Sequence, residues 1–409
     1  MKPIRYLQVT HIPFIRRVDG DVVTDELWAN DLLAIAGSMG ALRVAAPELP
    51  EDDQHVTWGP TAVTLPKDGP VTFAGFPPLF SRRDYWKLPA IRRVLRKEVD
   101  AADLVHTSNL FPPYLVLAYA HHLAVRRGKK TLFAVVEDFK DMLGWEWVRT
   151  ASTPHERWVR EKELDRIDRC TRECARTATM TFLFTPPAVE QFRLDTSNGV
   201  VVRDTTHHAD NVIDERMMEE KRRKIIEGET LEIIAACRHK PLKGVDLIVR
   251  AAAQLKKRGV PATFKLYGHG PLTTELQNLA RDLGVEDCVA FPGALSPDQV
   301  YAEMAHAHAA VMAHRTNDFA RAFYDAMTGG TPVIAFDTLS SRGTVRPDVD
   351  GLLVPLDNVI ALAVAVERLH HDRELLAAMS RNAQRRALAE TQEVWHAYRA
   401  ERIRELFRG

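Results

Sequence analysis

The chain has 409 residues, 45% of them hydrophobic, which is enough for two domains of ordinary size with a core each. Lysine and arginine number 55 and aspartate and glutamate also 55, so no net field advertises nucleic acid or an anionic surface as partner. Four scattered cysteines (Cys170, Cys174, Cys237, Cys288), a start "MKPIRYLQVTHIPF" without a signal-like apolar run, and a most apolar later stretch "YLVLAYAHHLAV" broken by His121 and His122 argue against a disulfide scaffold and a membrane span. They lead us to expect a cytoplasmic protein with reduced thiols.

Short apolar runs alternate with longer amphipathic segments along the whole chain, the pattern of β-α units and parallel sheets. In the first half we expect strands at "IRYLQV" (4–9), "LRVAAP" (42–47), "DLVH" (103–106), "TLFAVV" (131–136), "TMTFLF" (179–184) and "GVVVR" (199–203). In the second half they fall at "LEIIAAC" (231–237), "TFKLYG" (263–268), "CVAFPG" (288–293), "AAVMAH" (309–314), "PVIAF" (332–336) and "GLLVP" (351–355). Each half can build its own doubly wound sheet, so the fold class is α/β with two Rossmann-like domains facing across a cleft. The highly charged "DERMMEEKRRKIIEGET" (214–230) reads as a surface connection, which puts the boundary at 210/211. Three helical segments close the chain after the last strand. "SPDQVYAEM" carries a capping box from Ser296 to Gln299 with Pro297 at the first helical position.

Ligands of such sheets bind beyond the carboxyl ends of the strands. After "LEIIAAC" come Arg238, His239, Lys240, Pro241, Leu242, Lys243 and Gly244, opening a helix. Cations beside the unpaired amides of a helix start suit a diphosphate, although lysines at a strand end can also be merely solvated. The stretch "NDFARAFYDAMTGGTPVIAFD" (317–337) places an acid, Asp325, inside an apolar helix preceded by the loop Asn317-Asp318-Phe319. A carboxylate there needs partners, and the vicinal hydroxyls of a ribose can donate to both of its oxygens. Gly329 and Gly330 allow the turn that ends the helix.

These segments carry a resemblance. "CRHKPLKGVDLIVRAA", "LYGHGPLTTELQNLARDLGVEDCVAFPG" and "NDFARAFYDAMTGGTPVIAFD", in that order, resemble the Arg-Lys, Gly-x-Gly and paired-glutamate segments of glycosyltransferase family 4, the retaining GT-B enzymes. The first half is similar more weakly, through "LQVTHIPFIRRVDGDVV", "DLVHTSN" and "TLFAVVEDF". The resemblance implies a first domain over 1–210, a second, nucleotide-sugar-binding domain over 211–388, and a C-terminal helix, 389–409, packing back on the first. It implies that Arg238 and Lys243 neutralise the donor diphosphate and that Asp325 holds the ribose. Asn317, Asp318 and the backbone amides of Phe319, Ala320 and Arg321 would meet phosphate and sugar. Gly20 and Asp21 would stand in a glycine-rich loop after the first strand, and Glu137 would take the catalytic position where the family often has His-Asp. This chain has Asn317 and Asp325 where the family's motif has glutamates, and Asp318-Phe319-Ala320 in place of Gly-Phe-Gly.

Other motifs point elsewhere or nowhere. Asp19-Gly20-Asp21 has the form of a metal-binding DxD, but its place after a strand reads as a turn, and no metal or other cofactor is expected. Trp145 and Trp147 could stack on an acceptor or lie in a core. The basic segment 81–100 reads as a solvated helix interrupted by Pro89, with peripheral membrane contact as the alternative. His207 and His208 read as polar surface. The expected function is a retaining, metal-independent glycosyltransferase that takes a nucleotide diphosphate sugar and a sugar, glycan, lipid-linked or small-molecule acceptor, with no nucleic acid partner. The alternatives are a silent glycosyltransferase-like subunit and a nucleotide-sugar hydrolase or epimerase.

Overall fold

The computed structural model describes residues 3–51, 62–110, 115–136, 139–184, 186–192, 198–317 and 321–408. The chain divides into two compact units, Met1–Val202 together with His396–Gly409, and Arg203–Trp395.

The first unit is built on β1 (Tyr6–Val9), β2 (Phe14–Arg16), β3 (Val22–Asp25), β4 (Leu42–Leu49), β5 (Ala62–Leu65), β6 (Val71–Phe76), β7 (Leu104–Ser108), β8 (Lys130–Val135), β9 (Met180–Leu183) and β10 (Gly199–Val201). A parallel run β10-β9-β8-β7-β1-β4 continues into β6. Beside it β2 joins β4, and β3 and β5 add antiparallel strands. The buried side chains of β1 and β8, among them Leu7, Val9 and Phe133, pack with Ile91, Leu95 and Val99 of the helix Leu88–Ala101 and with Ile167 of Pro154–Thr177. Pro89 does not interrupt the first of these helices but lies in its opening turn, where a missing amide hydrogen costs nothing. The final segment reaches this unit through Arg399, whose guanidinium is 3.7 Å from Asp31.

The second unit holds β11 (Leu231–Ala236), β12 (Ala262–Tyr267), β13 (Val289–Ala290), β14 (Ala309–Met312), β15 (Val333–Phe336) and β16 (Gly351–Val354). They pair in parallel in the order β13-β12-β11-β14-β15-β16. Central strands such as β14 and β15 are buried at every position, as expected of strands covered on both faces. The 214–230 segment is not a surface connection. Asp214 caps a helix, Glu215–Glu227, that buries Met218, Lys221 and Ile225 at helical spacing, an apolar stripe that the surrounding charge obscured. His207 is likewise not surface: it is fully buried, its Nε2 lies 2.8 Å from the carbonyl of Ala387 and its ring stacks on Tyr324.

Lys221 is the unusual member of that stripe. Its Nζ donates to the carbonyls of Gly329 (2.6 Å) and Met304 (3.2 Å) and to Thr331 Oγ1 (2.6 Å). Both carbonyls lie at helix C-termini, of Pro297–His306 and of Ala322–Thr328, where the backbone dipoles favour a cation. Burial pushes the lysine's pKa well below its usual value, and these acceptors offset that penalty. Lys221→Ala should therefore cost on the order of 3–5 kcal/mol, because it leaves a cavity and unsatisfied carbonyls together, as a denaturant titration of the full chain would measure.

Candidate functional site

In the order β13-β12-β11-β14-β15-β16, connections run one way from β11 and the other way from β14, so the loops leaving their carboxyl ends diverge and open a crevice. The sequence-predicted residues of the second unit leave from there: Arg238 and Lys243 after β11, Asn317 and Arg321 after β14.

The two loops are drawn together at the backbone. Gly244 has a φ of +62°, and a Cβ on it would lie 2.1 Å from the carbonyl oxygen of Ala313. Only glycine fits both the left-handed conformation and that approach. The Arg315 amide donates to Leu242 O (2.8 Å), and its guanidinium donates to Pro241 O (2.6 Å), Asp246 (3.0 Å) and Asp357 (2.7 Å). The loop after β12 joins them, since Cβ atoms on Gly268 and Gly270 would lie 1.9 Å from Cys237 O and 2.5 Å from His239 O. His239 N donates to His269 O at 3.1 Å, and His239 Nδ1 lies 2.9 Å from Thr273 Oγ1.

Charge gathers on this frame. The Arg238 side chain is exposed and makes no hydrogen bond or ion pair among the described residues. Lys243 is half-buried beside Cys237, whose thiol burial pushes up to about 11 while the ammonium pulls it down. Gly244 gives the helix Val245–Lys257 no side-chain cap, which leaves its leading amides without a side-chain acceptor.

Asp325 lies in the short helix Ala322–Thr328, among the buried Phe323, Tyr324, Ala326 and Met327. The residue keeps some exposure, yet burial of the carboxyl group raises its pKa from 3.8 to about 7, with Arg321 pulling the other way. Its carboxyl accepts no hydrogen bond among the described residues. The helix end behind it is set by Gly330 at φ +59° and by Gly329, whose Cβ would meet the Met304 backbone at 2.4 Å.

Other predicted residues fare differently. Asn317 Oδ1 accepts from Leu339 N at 3.0 Å, which ties its loop to the start of the helix Leu339–Thr344. Arg321 pairs with Asp204 at 2.8 Å. Asp318, Phe319, Ala320 and Glu137 lie outside the described residues. Gly20 and Asp21 do not follow the first strand: they form the turn of the β2-β3 hairpin, where Gly20 N donates to Arg17 O (3.0 Å) and Asp21 Oδ1 accepts from Lys67 N (2.9 Å). The short β2 and β3 were hidden because "FIR" and "VVTD" offer too few residues to show a period. Thr10 to Pro13 come directly after β1, among them His11, whose pKa burial lowers. Sequence reasoning also passed over His314 and Thr316, both buried just beyond β14, with Thr316 Oγ1 lacking a partner among the described residues. Their only signal was position, a few residues past a strand end. No group of three or more His, Cys, Asp or Glu side chains among the described residues could hold a metal ion.

Residues 217–386 match the family model of the group 1 glycosyl transferases. The second unit carries a group 1 glycosyltransferase domain. The chain is 32% identical over 167 residues to a GDP-mannose-dependent alpha-(1-6)-phosphatidylinositol monomannoside mannosyltransferase of Mycobacterium tuberculosis, covering 39% of this chain and 43% of that one. It is 30% identical over 141 residues to an alpha-D-kanosaminyltransferase of Streptomyces kanamyceticus, covering 34% and 36%. The chain thus spans less than half the length of these curated relatives. The structure of HepE from Anabaena in complex with UDP superposes with a TM-score of 0.66 at 15% identity, over 98% of this chain and 100% of that one. The fold is GT-B.

Within the group 1 domain, Asp325 makes a stability prediction with a definite sign. Its folded pKa lies above its unfolded value, so the contribution is fully favourable below about pH 4 and is lost as pH rises to about 7. Asp325→Asn should raise the melting temperature at pH 8 and leave it little changed in acid, as scanning calorimetry at both pH values would test.

Proposed function

We propose that this protein transfers a glycosyl group from a nucleoside diphosphate sugar to a hydroxyl acceptor, with retention at the anomeric carbon and without a metal. One observation carries the reading: Arg238, whose side chain makes no hydrogen bond or ion pair among the described residues, stands with Lys243, a helix start and the carboxyl of Asp325 on the segments leaving the switch point of a single sheet. Cation and amides suit a diphosphate, and a carboxyl without hydrogen-bond donors suits the two hydroxyls of a ribose.

In this reading Arg238 and Lys243 stabilise the charge that develops on the leaving phosphate, the work a metal does elsewhere. The bond from the anomeric carbon to that phosphate breaks, and the acceptor oxygen bonds to the same face. The acceptor's proton passes to a phosphate oxygen. The mycobacterial relative is named for GDP-mannose and the structural neighbour holds UDP, so the choice of base and sugar is open between guanine and uracil donors. The four free thiols fit a cytoplasmic site of action, and no described helix is long and apolar enough to cross a membrane. Peripheral contact with an anionic membrane surface fits segment 81–100, where Trp86 is 76% exposed among arginines.

A second reading has its own observation. With Asn317 in place of a glutamate and its oxygen committed to Leu339 N, the sugar-reading end of the motif is altered, as in a subunit that binds nucleotide but transfers nothing.

Nucleoside diphosphates at about 100 times their dissociation constant should stabilise the chain by about 2.7 kcal/mol, read as a thermal shift. Because the carboxylate must be ionised to accept both hydroxyls, affinity should rise between about pH 6 and 8, and Asp325→Asn should flatten that dependence. Arg238→Ala and Lys243→Ala should each lower donor turnover by about 100-fold with little change in melting, while exhaustive chelation leaves turnover intact. Nucleotide binding with no turnover towards any acceptor or water would move the conclusion to the second reading.

A further inference from the structure

Beyond the carboxyl end of β8, the first unit holds an open cavity of about 500 Å³ whose lining includes Lys140, Asp141, Trp145, Arg149, Arg157 and Glu161. Part of its lining, Gly144, Trp145 and Val148, comes from a single π-helical turn, Gly144–Val148, between the helices Phe139–Leu143 and Pro154–Thr177. Such turns widen the helix by a residue and re-aim side chains, and they recur at functional sites. Here the turn is fastened from below. Arg160 donates to Trp147 O and to Thr150 Oγ1, and Trp147 packs against the cluster of Leu143, Val148 and Leu164. Trp145 is not part of that cluster, so the turn separates one indole that serves the core from one that lines the cavity.

The chemistry of the lining is specific. The Arg149 guanidinium lies 3.5 Å from the centre of the Trp145 ring, which braces the indole in place. Lys140 is held at 3.0 Å by Asp165. Arg157 and Glu161, one turn apart on the same helix, make no side-chain hydrogen bond or ion pair among the described residues. The charges therefore nearly cancel, which does not suit an anion, yet the wall offers planar N–H donors and carboxylate acceptors within one helical turn. A sugar matches this: each hydroxyl donates and accepts, and its face of C–H groups is attracted to the electron-rich face of an indole.

We propose that this cavity is a subsite for a neutral carbohydrate, the non-reducing or reducing ring of the glycan that accepts the transferred sugar. Trp145 supplies the stacking face, and Arg157 and Glu161 read the hydroxyls. The acceptor role rests on the transferase reading above; carbohydrate binding itself does not.

The test is ligand-detected saturation-transfer NMR on the full chain with maltose and mannobiose as probes, without donor, beside a thermal-shift measurement with UDP and GDP. Saturation transfer from the wild type should fall about tenfold or more in Trp145→Ala and in Glu161→Gln, an exposed position whose replacement does not threaten folding, and should persist in Trp158→Ala, outside the cavity. Transfer that survives both cavity substitutions, or that inorganic phosphate competes away, overturns the proposal. So does the absence of transfer to either saccharide; if UDP or GDP still stabilises the chain, that failure leaves the donor reading standing.

Discussion

The contact on which the second unit depends is the approach of two backbones, Gly244 against the carbonyl of Ala313, closer than any side chain would permit. Because the loops after β11 and β14 touch there, the cations that follow one strand and the helix that follows the other belong to a single crevice. Arg315 makes the arrangement rigid. It is mostly buried, and its guanidinium is divided between Pro241 O, Asp246 and Asp357, so it cannot serve as a cation for a ligand. Arg238, whose side chain has no such partner among the described residues, is not committed in this way.

One ionisable group lies at the carboxyl end of the helix Ala322–Thr328 and another inside it, and they differ in how they are satisfied. Lys221, at its carboxyl end, has three acceptors and the dipoles of two helix ends, so its burial is compensated within the chain. Asp325, inside the helix, accepts no side-chain hydrogen bond among the described residues, and burial raises its pKa. A satisfied buried charge holds a structure in one arrangement; an unsatisfied one is strain that a ligand with donors can relieve. The same helix is thus anchored at its carboxyl end.

The first unit shows a comparable division on a smaller scale. The half-buried Trp147 packs against the small cluster of Leu143, Val148 and Leu164 while Trp145 lines a cavity, although the two are separated by a single residue. Sequence spacing places the two on different faces but does not say which face packs on the cluster of Leu143, Val148 and Leu164, a choice made only in the folded chain.

Much of the architecture was legible in the chain itself. The runs at β1, β4, β7, β8, β11, β12, β14, β15 and β16 were visible because buried strand positions are apolar, without a break in β14 and β15 and alternating with the exposed Thr263 and Lys265 in β12, and Ser296, Pro297 and Gln299 marked a helix start because capping is local. Gly244, Arg238 and Asp325 could be singled out for the same reason: each departs from what its own few neighbours would otherwise require. Short-range physics ended there. The strands β2, β3, β5 and β6, the burial of His207 and Lys221, the hairpin position of Gly20 and Asp21, and the commitment of Asn317 to Leu339 were decided by tertiary structure. Each depends on a partner tens to hundreds of residues away, such as Ala387 for His207 and Gly329 for Lys221, and a local pattern carries no information about a partner that only the folded chain brings near.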